Sequence, residues 1–132
     1  MAEQDNTAAA KQNYQDFMTG NIDGLLDSFA EDIDWELPEI ENVPFARTYK
    51  GRAGAADFFK QLGENQDPVS FNPREFIAQG DKVVVLGDYA WKVKKNGREF
   101  KGDFAHVFTY KDGKAIAFKE YLDTAAISAA YK

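Results

Sequence analysis

Two dipeptides, Asn96-Gly97 and Asp112-Gly113, constrain this chain more than any other feature. Each lies between runs that alternate apolar and polar residues, the strongest short-range signal for a β-hairpin. Gly80-Asp81 marks a third turn upstream. Together they predict a meander of strands over 69–79, 82–94, 98–110 and 114–123. Pro73 suits the first of these to an edge or a bulge. The N-terminal half reads differently. Asn6-Thr7 caps a helix over 8–18, with Ala10, Tyr14, Phe17 and Met18 on one face. Asp23 caps a second over 24–29. A short strand over 33–37 stops at Pro38, an irregular stretch follows to Tyr49, and a third helix carries Ala55, Phe58, Phe59 and Leu62 to Gly63. A last short helix is expected over 124–131. Helices followed by a meander make an α+β domain.

The 132 residues suffice for one domain, 1–132, with its own core. The net charge of −6 argues against a nucleic-acid partner and against an anionic membrane surface. The chain lacks cysteine and has one histidine, so no metal site is expected. No apolar run reaches the roughly 18–20 residues of a membrane span, and the N-terminus lacks a hydrophobic signal core. A soluble, cytoplasmic protein is the expectation.

Register follows if both dipeptides form two-residue turns. His106 then faces Gly87 and Lys119, Phe104 faces Tyr89 and Tyr121, and Gly102 faces Trp91 and Asp123. One face collects Tyr89, Trp91, Phe100, Phe104, Phe108 and Tyr121, with His106, Lys119 and Asp123 among them. The other, with Asp88, Asp103, Glu120 and Lys101, is too charged to be the interior. A bulge would reverse part of this assignment. His106 and Asp123 fall four positions apart, about 13 Å, too far for a hydrogen-bonded dyad.

Three fragments carry a resemblance: "TGNIDGLLDSFAEDIDWELP" (19–38), "YKGRAGAADFF" (49–59) and "HVFTYKDGKAIAFKEYLD" (106–123). They resemble the NTF2-like superfamily, and within it the SnoaL-like polyketide cyclases and ketosteroid-isomerase-like proteins. The resemblance implies a cone, a curved antiparallel sheet wrapped around N-terminal helices, with the aromatic face lining a pocket. It also implies a homodimer through the outer sheet face. The isomerase residues are missing: Leu37 and Ala105 stand at the positions of the acidic groups, and the tyrosine position falls near Asn13, one step from Tyr14. A SnoaL-like cyclase uses an aspartate on the last strand and a histidine on the strand before, which Asp123 and His106 match approximately. The hydrolase Asp-Arg-Asp set of the same superfamily cannot be assembled.

Asp123 and His106 are therefore the candidate catalytic pair. Among Trp91, Tyr121 and Phe104 the Asp123 carboxyl would be desolvated, which favours its protonated form and suits proton transfer next to a carbonyl. Its place before "TAAISAA" fits a helix cap equally well. His106 reads either as an acid/base group or as a satisfied interior histidine. Tyr14, Trp35, Tyr89, Trp91, Phe104 and Tyr121 are the candidate ligand-binding residues, or plain core. The expected activity is a cofactor-free cyclase or isomerase acting on a small hydrophobic or aromatic carbonyl compound. The alternatives are a non-catalytic binding protein and a dimeric assembly module.

Overall fold

In the computed structural model, which describes residues 2–132, four helices and six strands form one α+β unit. Helix α1 (Ala2–Met18) and helix α2 (Ile22–Asp27) come first. Strand β1 (Phe29–Glu36), the short β2 (Tyr49–Lys50) and helix α3 (Gly51–Asn65) follow. The meander is β3 (Gln66–Gln79), β4 (Lys82–Val93), β5 (Glu99–Lys111) and β6 (Lys114–Leu122), and α4 (Thr124–Ala130) closes the chain.

The spatial order is β2-β1-β6-β5-β4-β3. Every pairing is antiparallel except β1 with β6, so the sheet is mixed rather than wholly antiparallel. β3 lies at the edge, and its ladder shifts beside Pro68 and again beside Pro73, where a missing N–H is tolerated.

The helix boundaries depart from expectation at the N-termini. α1 begins at Ala2, so Asn6 and Thr7 lie within it, and the Thr7 hydroxyl donates to the Glu3 carbonyl rather than capping. Asn21, not Asp23, caps α2, accepting from Gly24 N at 3.2 Å. α3 runs through Gly63 to Asn65. Ala10 and Tyr14 face the core, while Met18 is 55% exposed.

Register in the meander decides what faces inward. The loop at Asn96-Gly97 has four residues: Val93 closes on Arg98, its N–H donating to the Arg98 carbonyl at 2.7 Å, and Gly97 N donates back to Val93 O at 2.8 Å. Pairing is offset by two from the two-residue expectation, with Val85 opposite His106 and Gly87 opposite Phe104. An even offset preserves the faces. The turn at Asp112-Gly113 is the expected tight one, with Lys111 opposite Lys114 and both turn residues at positive φ. One step further the ladder slips: Tyr110 pairs with Ala115, but Thr109 pairs with Ala117. Ile116 is the extra residue of a β-bulge. Beyond it every β6 side chain is reversed relative to the sequence-based register. Phe118, Glu120 and Leu122 share the inner face with His106, and Lys119, Tyr121 and Asp123 turn outward.

The interior packs the inner sheet face against α1, α3 and the 37–48 connector. Phe29, Ile33, Val83, Val85 and Val93 are fully buried at its centre. Gly87 is required by close approach: a Cβ there would meet Phe104 Cζ at 2.5 Å, besides colliding with the Asn72 carbonyl. The Phe104 ring therefore lies flat across β4, stacked on Phe71 at 5.1 Å and against His106 at 4.2 Å.

Candidate active site

A cavity of about 120 Å³ lies between the sheet and the helices. An apolar cavity of roughly 150 Å³ takes a benzene-sized guest, so this one suits a molecule about one ring in size. Its wall is aromatic and aliphatic, and the connector contributes Leu37, Ile40, Val43, Phe45 and Ala46. Polar side chains enter at Asn13, Tyr14, Gln66, His106 and Glu120.

Three of these groups form one chain. The Tyr14 hydroxyl lies 2.6 Å from His106 Nδ1, and His106 Nε2 lies 2.8 Å from Glu120 Oε2. α1 supplies the tyrosine, β5 the histidine, and β6, through its bulge, the glutamate. The carboxylate accepts only, which assigns the proton of a neutral His106 to Nε2 and leaves Nδ1 to accept from Tyr14. His106 is 5% exposed and its bond to Tyr14 is shielded from water, while the bond to Glu120 is part-buried. Burial, with smaller contributions from Tyr110 and the Glu120 charge, holds the Tyr14 phenol well above its ordinary value. A second chain fixes α1 in place: the Tyr110 hydroxyl donates to Asn13 Oδ1 at 2.7 Å, and Asn13 Nδ2 donates to Ser28 Oγ at 2.7 Å. The Ser28 hydroxyl in turn donates to the Leu25 carbonyl at 2.6 Å. Two buried donors in the cavity-lining residues lack a partner, Trp35 Nε1 and the Tyr89 hydroxyl.

The sequence-predicted residues divide. Tyr14, Trp35, Tyr89, Trp91 and His106 line the cavity. Phe104 does not; it is buried behind His106 and Phe71. Tyr121 is 50% exposed on the outer face, with Lys119 over its ring. Asp123 is exposed as well and caps α4, accepting from Ala126 N at 3.1 Å. The bulge at Ile116 is the cause of both corrections. Lys119 likewise pairs outside with Glu36 at 3.1 Å. Glu120 takes the inward place beside His106 that the sequence-based register gave to Lys119. No turn dipeptide signals it; the cue is that the reversed register puts Phe118 and Leu122 inside and Lys119 outside.

The SnoaL-like domain family matches residues 10–118. The chain is a member of that family. Among solved structures, an NTF2-like protein from Burkholderia xenovorans LB400 superposes with a TM-score of 0.89 at 33% identity, covering 98% of each chain. TerC, co-crystallised with polyporic acid, superposes at 0.86 with 31% identity, covering 96% of this chain and 98% of its own. An NTF2-like protein of unknown function from Burkholderia pseudomallei K96243 gives 0.86 at 25% identity, covering 97% of this chain and 98% of its own. No curated protein matches the chain. Among the described residues of this SnoaL-like domain, no helix is long and apolar enough to cross a membrane.

The hydrogen bonds of the SnoaL-like domain's polar chain all point one way. Tyr14 donates to His106, and His106 donates to Glu120. The Tyr14 oxygen keeps its lone pairs for a proton arriving from elsewhere. A proton taken there needs two short hops to reach the carboxylate, each along an existing hydrogen bond.

Proposed function

We propose that this SnoaL-like domain catalyses a cofactor-free isomerisation or cyclisation of a small hydrophobic carbonyl compound by general acid/base chemistry. The observation that carries the reading is the Tyr14–His106–Glu120 chain in an apolar cavity. The α-carbon of the ligand gives its proton to the Tyr14 oxygen while the Tyr14 proton passes to Nδ1 and the Nε2 proton to Glu120. The C–H electron pair becomes an enolate. Running the relay in reverse returns the proton to another carbon, which is isomerisation; in cyclisation the enolate carbon bonds to a second carbonyl carbon, the C=O π pair moves to that oxygen, and the relay run in reverse protonates it. Tyr14 acts as a conduit, because its raised value disfavours a standing phenolate. The unpaired Trp35 N–H supports an acceptor-bearing ligand, since an indole donates only. Likeness to TerC, whose structure was obtained with polyporic acid, supports a small organic ligand in the same fold. Asp123 has no part in the reading. The domain is carried as a homodimer joined through the outer sheet face, which the resemblance favours and sedimentation analysis would test.

The test is deuterium wash-in at the methyl group of 4-hydroxyacetophenone in heavy water, followed by proton NMR. The wild type is expected to exceed buffer, and Tyr14→Phe, His106→Leu and Glu120→Gln to lose about 10²-fold or more of the enhancement. Wild-type exchange at the buffer rate would remove the catalytic reading and leave a binding protein.

A further inference from the structure

The proton-transfer chain leaves one buried hydroxyl of the cavity wall unused. Tyr89 is 5% exposed and its oxygen has no hydrogen-bond partner. A buried hydroxyl left unpaired is penalised relative to a paired one, so its retention asks for a group that completes it. Phenylalanine would fill the same space without that cost. The oxygen is also shut off from bulk water, so the completing group comes from within the cavity.

Two further observations bear on what that group is. Gly102 faces Tyr89 across the β4–β5 ladder, and a Cβ at Gly102 would stand 3.1 Å from the Tyr89 hydroxyl. The missing side chain leaves the oxygen its position. The Tyr89 and His106 rings flank Phe104, at centroid distances of 6.4 Å and 4.2 Å. The Tyr89 ring and the His106 ring of the proton-transfer chain thus lie on either side of Phe104, and both residues line a cavity about one ring in size.

We propose that Tyr89 is a second polar anchor, binding an oxygen function at the end of the ligand away from the carbon whose proton Tyr14 takes. The inference rests on the reading that the cavity takes an oxygenated hydrophobic compound, and it narrows that class. The ligand is flat, about one ring across, and carries oxygen at both ends. The Tyr89 phenol is pushed up to about 12, chiefly by burial and then by the charges of Glu120, Asp123 and Asp103. It therefore stays a donor throughout the neutral range, suited to a carbonyl, hydroxyl or phenolate oxygen.

The experiment uses two probes of one shape, 4-hydroxyacetophenone and 4-methylacetophenone, titrated calorimetrically into the wild type, Tyr89→Phe, Tyr14→Phe and Gly102→Ala. The wild type is expected to prefer the hydroxy compound by about threefold to tenfold, the range of one net hydrogen bond. Tyr89→Phe should abolish the preference. Gly102→Ala, which crowds the hydroxyl, should reduce it. Tyr14→Phe should weaken both probes alike and keep it. Preference surviving in Tyr89→Phe, or equal affinities in the wild type, overturns the anchor while leaving the proton relay standing. Absent deuterium exchange with the preference intact has the opposite consequence. A ligand-free measurement guards the argument: the urea midpoint of Tyr89→Phe should equal or exceed that of the wild type. A fall would show the hydroxyl already paired in the free protein, and would overturn the proposal.

Discussion

Replacing Tyr14 by Phe deletes one oxygen and little else. The ring remains stacked on His106, with centroids 5.9 Å apart and planes within 7°, and keeps its edge contacts with Phe76 and Phe108. What is lost is the 2.6 Å bond to His106 Nδ1. That nitrogen belongs to a buried ring whose other nitrogen is held by Glu120. Switching tautomer gives no relief, because it would forfeit the Glu120 bond. Leaving a buried acceptor unpaired costs about 1–3 kcal/mol. The adjacent cavity has room for water, which offsets part of the cost, so the expected loss is about 1–2 kcal/mol. Urea unfolding should show a lower midpoint at unchanged slope, and thermal unfolding a drop of roughly 3–8 °C at this chain length. In a His106→Leu background the same deletion removes an orphan hydroxyl instead of a partner, so its cost should vanish or change sign. An unchanged midpoint for Tyr14→Phe alone, or an equal cost in both backgrounds, would refute the pairing and with it the relay.

Asp123→Ala should cost about 1 kcal/mol through loss of the α4 cap, read in urea, and should leave deuterium wash-in unchanged; a large loss of exchange would place this carboxylate in the chemistry after all. The buried tyrosines predict an alkaline limit to stability. Tyr89 moves from 10.0 to about 12 on folding, and Tyr14 shifts in the same direction. Below pH 10 both are protonated folded and unfolded; between about pH 10 and 12 the unfolded chain releases protons that the folded one retains. Stability should therefore be fully present below pH 10 and fall as pH rises towards 12, by up to about 1.4 kcal/mol per pH unit for each tyrosine. Chemical denaturation across that range checks it, and a flat midpoint would contradict the burial of these hydroxyls.

The meander was legible because its punctuation is local. Asp112-Gly113 needs positive φ at two successive residues, and few other sequences accept that. Pro73 likewise announced an edge or a bulge, and β3 has both. Long-range pairings were less accessible. Nothing in "EDIDWE" says that β1 joins β6 in parallel, because that contact depends on how α3 and the connector return the chain. The four-residue loop at Asn96-Gly97 was missed without consequence, since an offset of two conserves side-chain direction. The bulge at Ile116 had full consequence. His106 and Tyr14 kept their places, since neither is on the bulged strand, while Asp123 and Tyr121 were displaced by a single residue.

That asymmetry shows how the site is specified. A tight turn followed by unbroken pairing would put Lys119, Tyr121 and Asp123 over the helices, burying an amine beside His106 and leaving the α4 cap unfilled. One inserted residue resolves both conflicts. It sends the amine out to Glu36, frees Asp123 for the helix terminus, and brings Glu120 within 2.8 Å of the imidazole. Even partial burial of a carboxylate is costly unless it is paired and hydrogen-bonded, so the reversed register is stable here because His106 already stands on the inner face to receive it. The polar chain and the bulge therefore depend on each other. The ladder offset selects which acid enters the cavity, and the waiting imidazole makes that offset affordable in free energy.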